Sequence, residues 1–170
     1  MVTIIWVNKI EITIPVKAIS TVSLAGSGDI ISSFTLKSDQ FKMSLAGSGD
    51  IISNFIIKAS IFKATLAGSG DVNLAIECDS LETQVAGSGD IELKGRTKNH
   101  EASVAGSGDI KAFELVTENA IVNVSGSGDI KVNCTEFIEA RVAGSGDIEY
   151  KGNPKKVDTK VAGSGTIKMI

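Results

Sequence analysis

The chain has 170 residues, 42% of them hydrophobic, with 17 basic residues against 20 acidic ones. That length carries one domain with a real core, and the mild acidity argues against a nucleic-acid partner, which would want a basic stripe. No run approaches the roughly 18 consecutive apolar residues of a membrane-spanning helix, and two cysteines, Cys78 and Cys134, are too few for a disulfide framework.

In chain order, residues 1–20 come first. Their opening, MVTIIWVNK, has no basic n-region and only a short apolar run, unlike a secretion signal. The stretch TIIWVNKIEITIPVKAI reads as a partial coil that caps the remainder of the chain, with Trp6 and Pro15 in the cap.

Residues 21–170 repeat one turn, first written AGSGDI at Ala25 to Ile30. The first glycines of the GSG fall at Gly26, Gly47, Gly68, Gly87, Gly106, Gly126, Gly144 and Gly163, with spacings of 21, 21, 19, 19, 20, 18 and 19. A period near 20 that fills the chain predicts a solenoid, in which no single repeat can bury its own core. Two residues before each glycine the column reads Leu24, Leu45, Leu66, Val85, Val104, Val124, Val142 and Val161; four residues after, it reads Ile30, Ile51, Val72, Ile91, Ile110, Ile130, Ile148 and Ile167. The columns three before and five after are mostly polar. This alternation is strand patterning of period 2, and the apolar columns hold the β-branched and Leu side chains that packed strands prefer.

Gly-Ser-Gly would break a helix, so the predicted fold is all-β: a single-stranded, right-handed parallel β-helix of about eight to nine short coils of 18–21 residues, with the GSG turns stacked along one edge. The whole chain, 1–170, is expected to be one β-helix domain. A looser turn is expected opposite the GSG edge, marked six residues before each glycine by Ser20, Phe41, Phe62, Leu81, His100, Ala120, Ile138 and Val157. Length variation is expected just upstream of that column, in stretches such as LKSDQ, KGRTKN and KGNPKK.

Stacking places Asp29, Asp50, Asp71, Asp90, Asp109, Asp129 and Asp147 in one ladder at about 4.8 Å spacing. Seven like charges need compensation. The favoured expectation is that each carboxylate accepts backbone N–H groups and a serine hydroxyl at its turn. The alternative is cation binding along the edge, since hard cations take carboxylate oxygens. His100, the one histidine, is expected to be a half-buried spacer without an obvious partner. Cys78 and Cys134 should lie three rungs apart, about 14 Å along the axis, beyond disulfide reach. No carboxylate pair, zinc spacing, nucleophile elbow or phosphate loop is present, so no enzyme activity and no cofactor are expected.

The run VSGSGDIKVNCTEFIEARVAGSGDIEYKGNPKKVDTKVAGSGTIKMI resembles the C-terminal half of the bacterial head GIN domain family of autotransporter-type adhesins. The GSGDI repeats and the YKGNPK stretch at Tyr150 to Lys155 carry the match, which extends over nearly the whole chain from Lys9. The resemblance implies a single-chain β-helix without catalytic residues, a cell-envelope or secreted setting, and adhesion to a protein or glycan ligand of host or matrix. Family members carry a secretion signal and an N-terminal region ahead of the repeats, and neither is visible here. Two alternatives to an adhesin head stand beside it: a self-assembling structural protein, joined through the ends of the helix or the apolar N-terminal coils, and a cation-binding module that uses the Asp ladder.

Overall fold

A computed structural model describes residues 19–32 and 34–170. The expected N-terminal cap, with Trp6 and Pro15, lies outside the described residues. The strands are β1 (Thr21–Gly26), β2 (Ile30–Ser32), β3 (Leu36–Gly47), β4 (Ile51–Gly68), β5 (Val72–Gly87), β6 (Ile91–Gly106), β7 (Ile110–Gly126), β8 (Ile130–Gly144), β9 (Ile148–Lys151), β10 (Lys156–Gly163) and β11 (Ile167–Met169). The described residues contain no helix. Each strand pairs in parallel with the strand one coil away, so the fold is the predicted parallel β-solenoid.

Register follows the repeat. Leu45 pairs with Leu66, Leu66 with Val85, Val85 with Val104, Val104 with Val124 and Val124 with Val142. The column after the turn pairs likewise from Ile30 to Ile167. Both columns point inward and, from β3 to β9, are buried. In the last coil Val161 of the first column is 43% exposed, and Val157, of the column six residues before the glycine, is 45% exposed. Burial in a solenoid needs a rung on each side, and β10 has a described neighbour only in β8.

Between GSG turns the chain is strand almost throughout, so the single looser turn opposite is corrected to two further bends. The first falls after Leu74, where Asn54 and Phe55 of the coil before loop out of register, and the second where Asp79 and Ser80 are both exposed. In a strand of fixed period 2 the latter break of alternation marks a change of face. At the second bend the pairing skips one residue on successive coils: Asp39 and Ser60, then Asp79, then Lys98.

Length variation is also placed differently from expectation. The insertions sit mainly at the first bend. Asn54 and Phe55 loop out between Ser53 and Ile56 of β4, and β7 departs from β8 between Ala112 and Val116. A smaller irregularity falls at the second bend, between Thr117 and Asn119. The expectation holds at KGNPKK, where the stretch between Lys151 and Lys156 is one residue longer than that between Asn133 and Phe137, and fails elsewhere because the first bend has no motif of its own. The extra residues change side-chain parity only once the true register is known.

The glycines of the turn serve two different needs. The first of each pair has φ from +129° to +153°, a conformation costly for other residues. The second is required by stacking: a Cβ on Gly108 would collide with the Gly89 carbonyl oxygen of the coil before. The Gly87 carbonyl accepts both Ser107 N–H and Gly108 N–H, at 2.9 and 3.0 Å, so that approach is fixed by hydrogen bonds. Gly108→Ala should therefore lower stability by about 3 kcal/mol or more, a fall of about 6–12 °C in the thermal midpoint for a domain of this size. Ser107→Ala, at an exposed neighbouring position, should change the midpoint by less than about 2 °C. Calorimetry of the two variants checks the pair.

Candidate binding surface

The Asp ladder is built by the turn itself. Asp29 Oδ1 accepts the Asp50 N–H at 3.1 Å, and the pattern repeats from Asp50 to Asp71, Asp71 to Asp90, Asp90 to Asp109, Asp109 to Asp129 and Asp129 to Asp147 at 2.8–3.0 Å. Asp147 ends it by accepting both the N–H and the hydroxyl of Thr166, at 2.7 and 2.9 Å. The donor is thus the next coil's amide rather than a group of the same turn, and no serine hydroxyl of a GSG reaches a carboxylate among the described contacts. In Asp147 the Thr166 N–H, with help from its hydroxyl, holds the carboxyl below the usual carboxylate range. Lys111 Nζ lies 2.6 Å from Asp90 Oδ2 and neutralises part of the edge. Among the described residues no three His, Cys, Asp or Glu side chains converge as a metal site.

Inside the solenoid, His100 is buried, not half-buried, and it has a partner. Its Nε2 lies 2.8 Å from Thr83 Oγ1, while Nδ1 has none among the described residues. The same interior holds a column of Cys78, Thr97, Thr117 and Cys134 in register, so the two free cysteines are three rungs apart as the spacing predicts. Burial raises both thiols above their ordinary range, which keeps them protonated. All of these side chains are buried, and they form no open constellation with a nucleophile and a base.

Sheet faces carry cross-strand ion pairs. Glu77 binds Lys58 at 2.8 Å and also Arg96; Lys98 binds Asp79 at 2.7 Å; Glu149 lies between Lys131 and Lys168 at 3.2 and 2.8 Å. Such exposed pairs contribute little each, about 0–1 kcal/mol. They make most of the outer surface a neutralised, hydrated lattice.

The first bend is the exception. Ser32 Oγ and Ser53 Oγ donate to the carbonyls of Phe34 and Phe55, at 3.0 and 2.8 Å, and so build the same serine turn on two successive coils. Phe34 and Phe55 are thereby left 42% and 46% exposed. Ile31, on the same coil as Phe34, is 62% exposed, and Ile56, beside Phe55, is 44% exposed. A third insertion at this bend carries Phe113, whose ring lies 5.1 Å from Lys151 Nζ and 5.8 Å from Lys131 Nζ, so it is covered by cations. Sequence reading missed the ridge because Ile31 and Ile52 stand as exceptions in a polar column and the insertions were expected at the other bend. The repeated Ser-x-Phe at Ser32–Phe34 and Ser53–Phe55 was the available signal.

Beyond Ile56 the ridge continues into a groove of about 470 Å³ lined by Ile56, Ile76, Glu77, Gly95, Arg96 and Val116. The chain is thus a parallel β-solenoid with a satisfied turn edge and an apolar ridge. A family model described as "Putative auto-transporter adhesin, head GIN domain" matches residues 3–56 and 45–154, and the chain belongs to that family. The chain is similar to a crystal structure from Parabacteroides distasonis named "Putative lipid binding protein", with 35% identity and a TM-score of 0.86 over 89% of this chain and 61% of the other. A "putative adhesin" of the same organism has 26% identity and a TM-score of 0.86, over 89% of this chain and 64% of its own length. Another "putative adhesin", from Bacteroides fragilis, shares the fold at 24% identity and TM-score 0.82, over 91% of this chain and 94% of its own. The chain thus spans less than two thirds of both Parabacteroides proteins. No curated protein matches the sequence.

The buried histidine makes stability depend on pH. Burial pushes His100 down to about 4 from its ordinary 6.5. The unfolded chain therefore binds a proton that the folded chain refuses, and stability falls as pH drops from about 6.5 to about 4. Below that window this group contributes no further change. Thr83→Val with His100→Leu, which repeats the Leu81 of the neighbouring rung, should lose most of this fall. Thermal melts of both proteins at pH 7 and pH 4.5 check it: the double variant should show the smaller drop.

Proposed function

We propose that the chain is a non-enzymatic adhesive module of the bacterial cell envelope, whose solenoid holds an apolar ridge at the first bend for contact with a protein or glycan of a host or matrix surface. The observation that carries this reading is the ridge itself: Ile31, Phe34, Phe55 and Ile56 stand exposed on two successive coils. Clustered exposed apolar side chains mark interaction sites. Aromatic residues offer large contact area at low entropic cost. The backbone beneath is fixed by the GSGD edge and by parallel pairing along every coil, which suits a surface that must bind without rearranging. The family's adhesin description supports the same setting.

A second reading is a ligand with a hydrocarbon chain. It is favoured by the nearly all-apolar lining of the groove beside Ile56, and one relative is named as a lipid-binding protein.

The test is the double variant Phe34→Ser, Phe55→Ser, applied to plates coated with extracellular matrix or with defined glycans. Because both rings are exposed, the thermal midpoint should move by less than about 2 °C. Binding to the coated surface should fall at least about tenfold, as when two contact aromatics of an interface are truncated. A folded double variant that adheres as well as the parent would overturn the ridge as the contact surface.

A further inference from the structure

We propose that the groove between Ile56 and Val116 binds the single acyl chain of an anionic amphiphile, with its carboxylate held by Lys94 and Arg96. The proposal rests on the hydrocarbon reading above and gives it a place, a chain number and a head group.

The groove runs over one glycine. Ile57, Ile76, Gly95 and Leu115 form a single inward column in register, and pairing continues through Gly95. Ile57, Ile76 and Leu115 are buried core side chains. The groove lies outside that column, lined at its middle by Ile76 and Gly95. Gly95 is not replaced without strain: it has φ +118°, and a Cβ there would strike the Ile76 carbonyl oxygen. Ile56 and Val116 stand 44% and 47% exposed, one on each of the two outward columns that flank the groove. These two half-exposed branched side chains give a hydrocarbon chain apolar contact toward both ends of the groove. The groove's volume falls within the roughly 300–1,000 Å³ of small-molecule sites.

Charge selects the head group. One flanking column runs Ile56, Ala75, Lys94, Glu114 and the other Lys37, Lys58, Glu77, Arg96, Val116. Four cations there face two carboxylates, and Lys58 and Arg96 share one of those, Glu77. Lys94 has no ion-pair partner among the described residues. Arg96 is 72% exposed, so its outer edge is free to meet a second carboxylate. An anionic head beside Gly95 would meet both side chains, because they are the residues on either side of it.

Equilibrium dialysis of dodecanoate, below its micelle concentration, tests the proposal, with dodecyl maltoside as the uncharged probe of equal chain length. Saturable binding of one dodecanoate per chain is expected. Val116→Gln and, separately, Ile56→Gln should each weaken it at least fivefold. Lys94→Gln with Arg96→Gln should weaken dodecanoate at least fivefold and leave dodecyl maltoside within twofold. Ile121→Ser, an exposed residue of another face, should leave both unchanged. Absence of saturable binding overturns the proposal, as does folded Val116→Gln and Ile56→Gln protein that binds like the parent. Equal losses for the two probes overturn the head-group assignment. The Phe34→Ser, Phe55→Ser protein should bind dodecanoate normally, which separates this outcome from failure of the adhesive ridge.

Discussion

Each coil is locked to the next by a carboxylate that accepts an amide. At about 4.8 Å, two adjacent carboxylates repel by about 0.9 kcal/mol in bulk water. A hydrogen bond to a charged acceptor contributes about 1.5–3 kcal/mol. The bond from each Asp N–H to the Asp Oδ1 of the coil before therefore outweighs the repulsion it brings with it. The backbone alternates with it in the opposite sense: Ile91 N–H donates to the Asp109 carbonyl of the coil after, at 2.9 Å. Side chain and main chain thus join the same two turns in both directions. Glycine is needed in the turn because that approach leaves no room for a Cβ.

A turn so fully satisfied leaves the rest of the coil free to vary. The apolar columns need only remain apolar and of similar size, and they admit Leu, Val and Ile interchangeably. Even a histidine is accommodated when a threonine on the adjacent rung supplies a partner. The coils differ in length by up to three residues, and the difference is absorbed where a bulge does not disturb the GSGD edge. Those bulges carry the exposed phenylalanines. Exposed apolar side chains thus stand on the bulged part of the coil and not on its GSGD edge, the usual division between scaffold and loop.

Much of this was legible from the repeat. The period gave the solenoid, and the Val/Leu and Ile columns gave the inward faces, because a residue type that recurs at one phase in eight coils must meet the same environment each time. The separation of Cys78 and Cys134 followed from the same counting. What the sequence hid was cross-coil. It does not show that the amide satisfying Asp109 belongs to Asp129 rather than to its own turn, since both donors lie within reach of an aspartate in isolation. It does not show the two bends, because strand residues continue through them. The Thr83–His100 contact and the close approach of Gly95 to Ile76 likewise join residues 17 and 19 positions apart, and become visible only in register. The exposure of Phe34 and Phe55 also depends on a bulge that no motif announces.

The locking of coil to coil is most directly tested by native-state hydrogen exchange at the aspartate amides. If the carboxylate of one turn holds the amide of the next, the N–H groups of Asp71, Asp90, Asp109 and Asp129 exchange only with global unfolding, as core strand amides do. Their protection should equal that of Val104 and Val124, and Asp90→Ala should expose the Asp109 amide selectively. Exchange of these four amides at the rate of an exposed turn, with the flanking valines fully protected, would contradict the account.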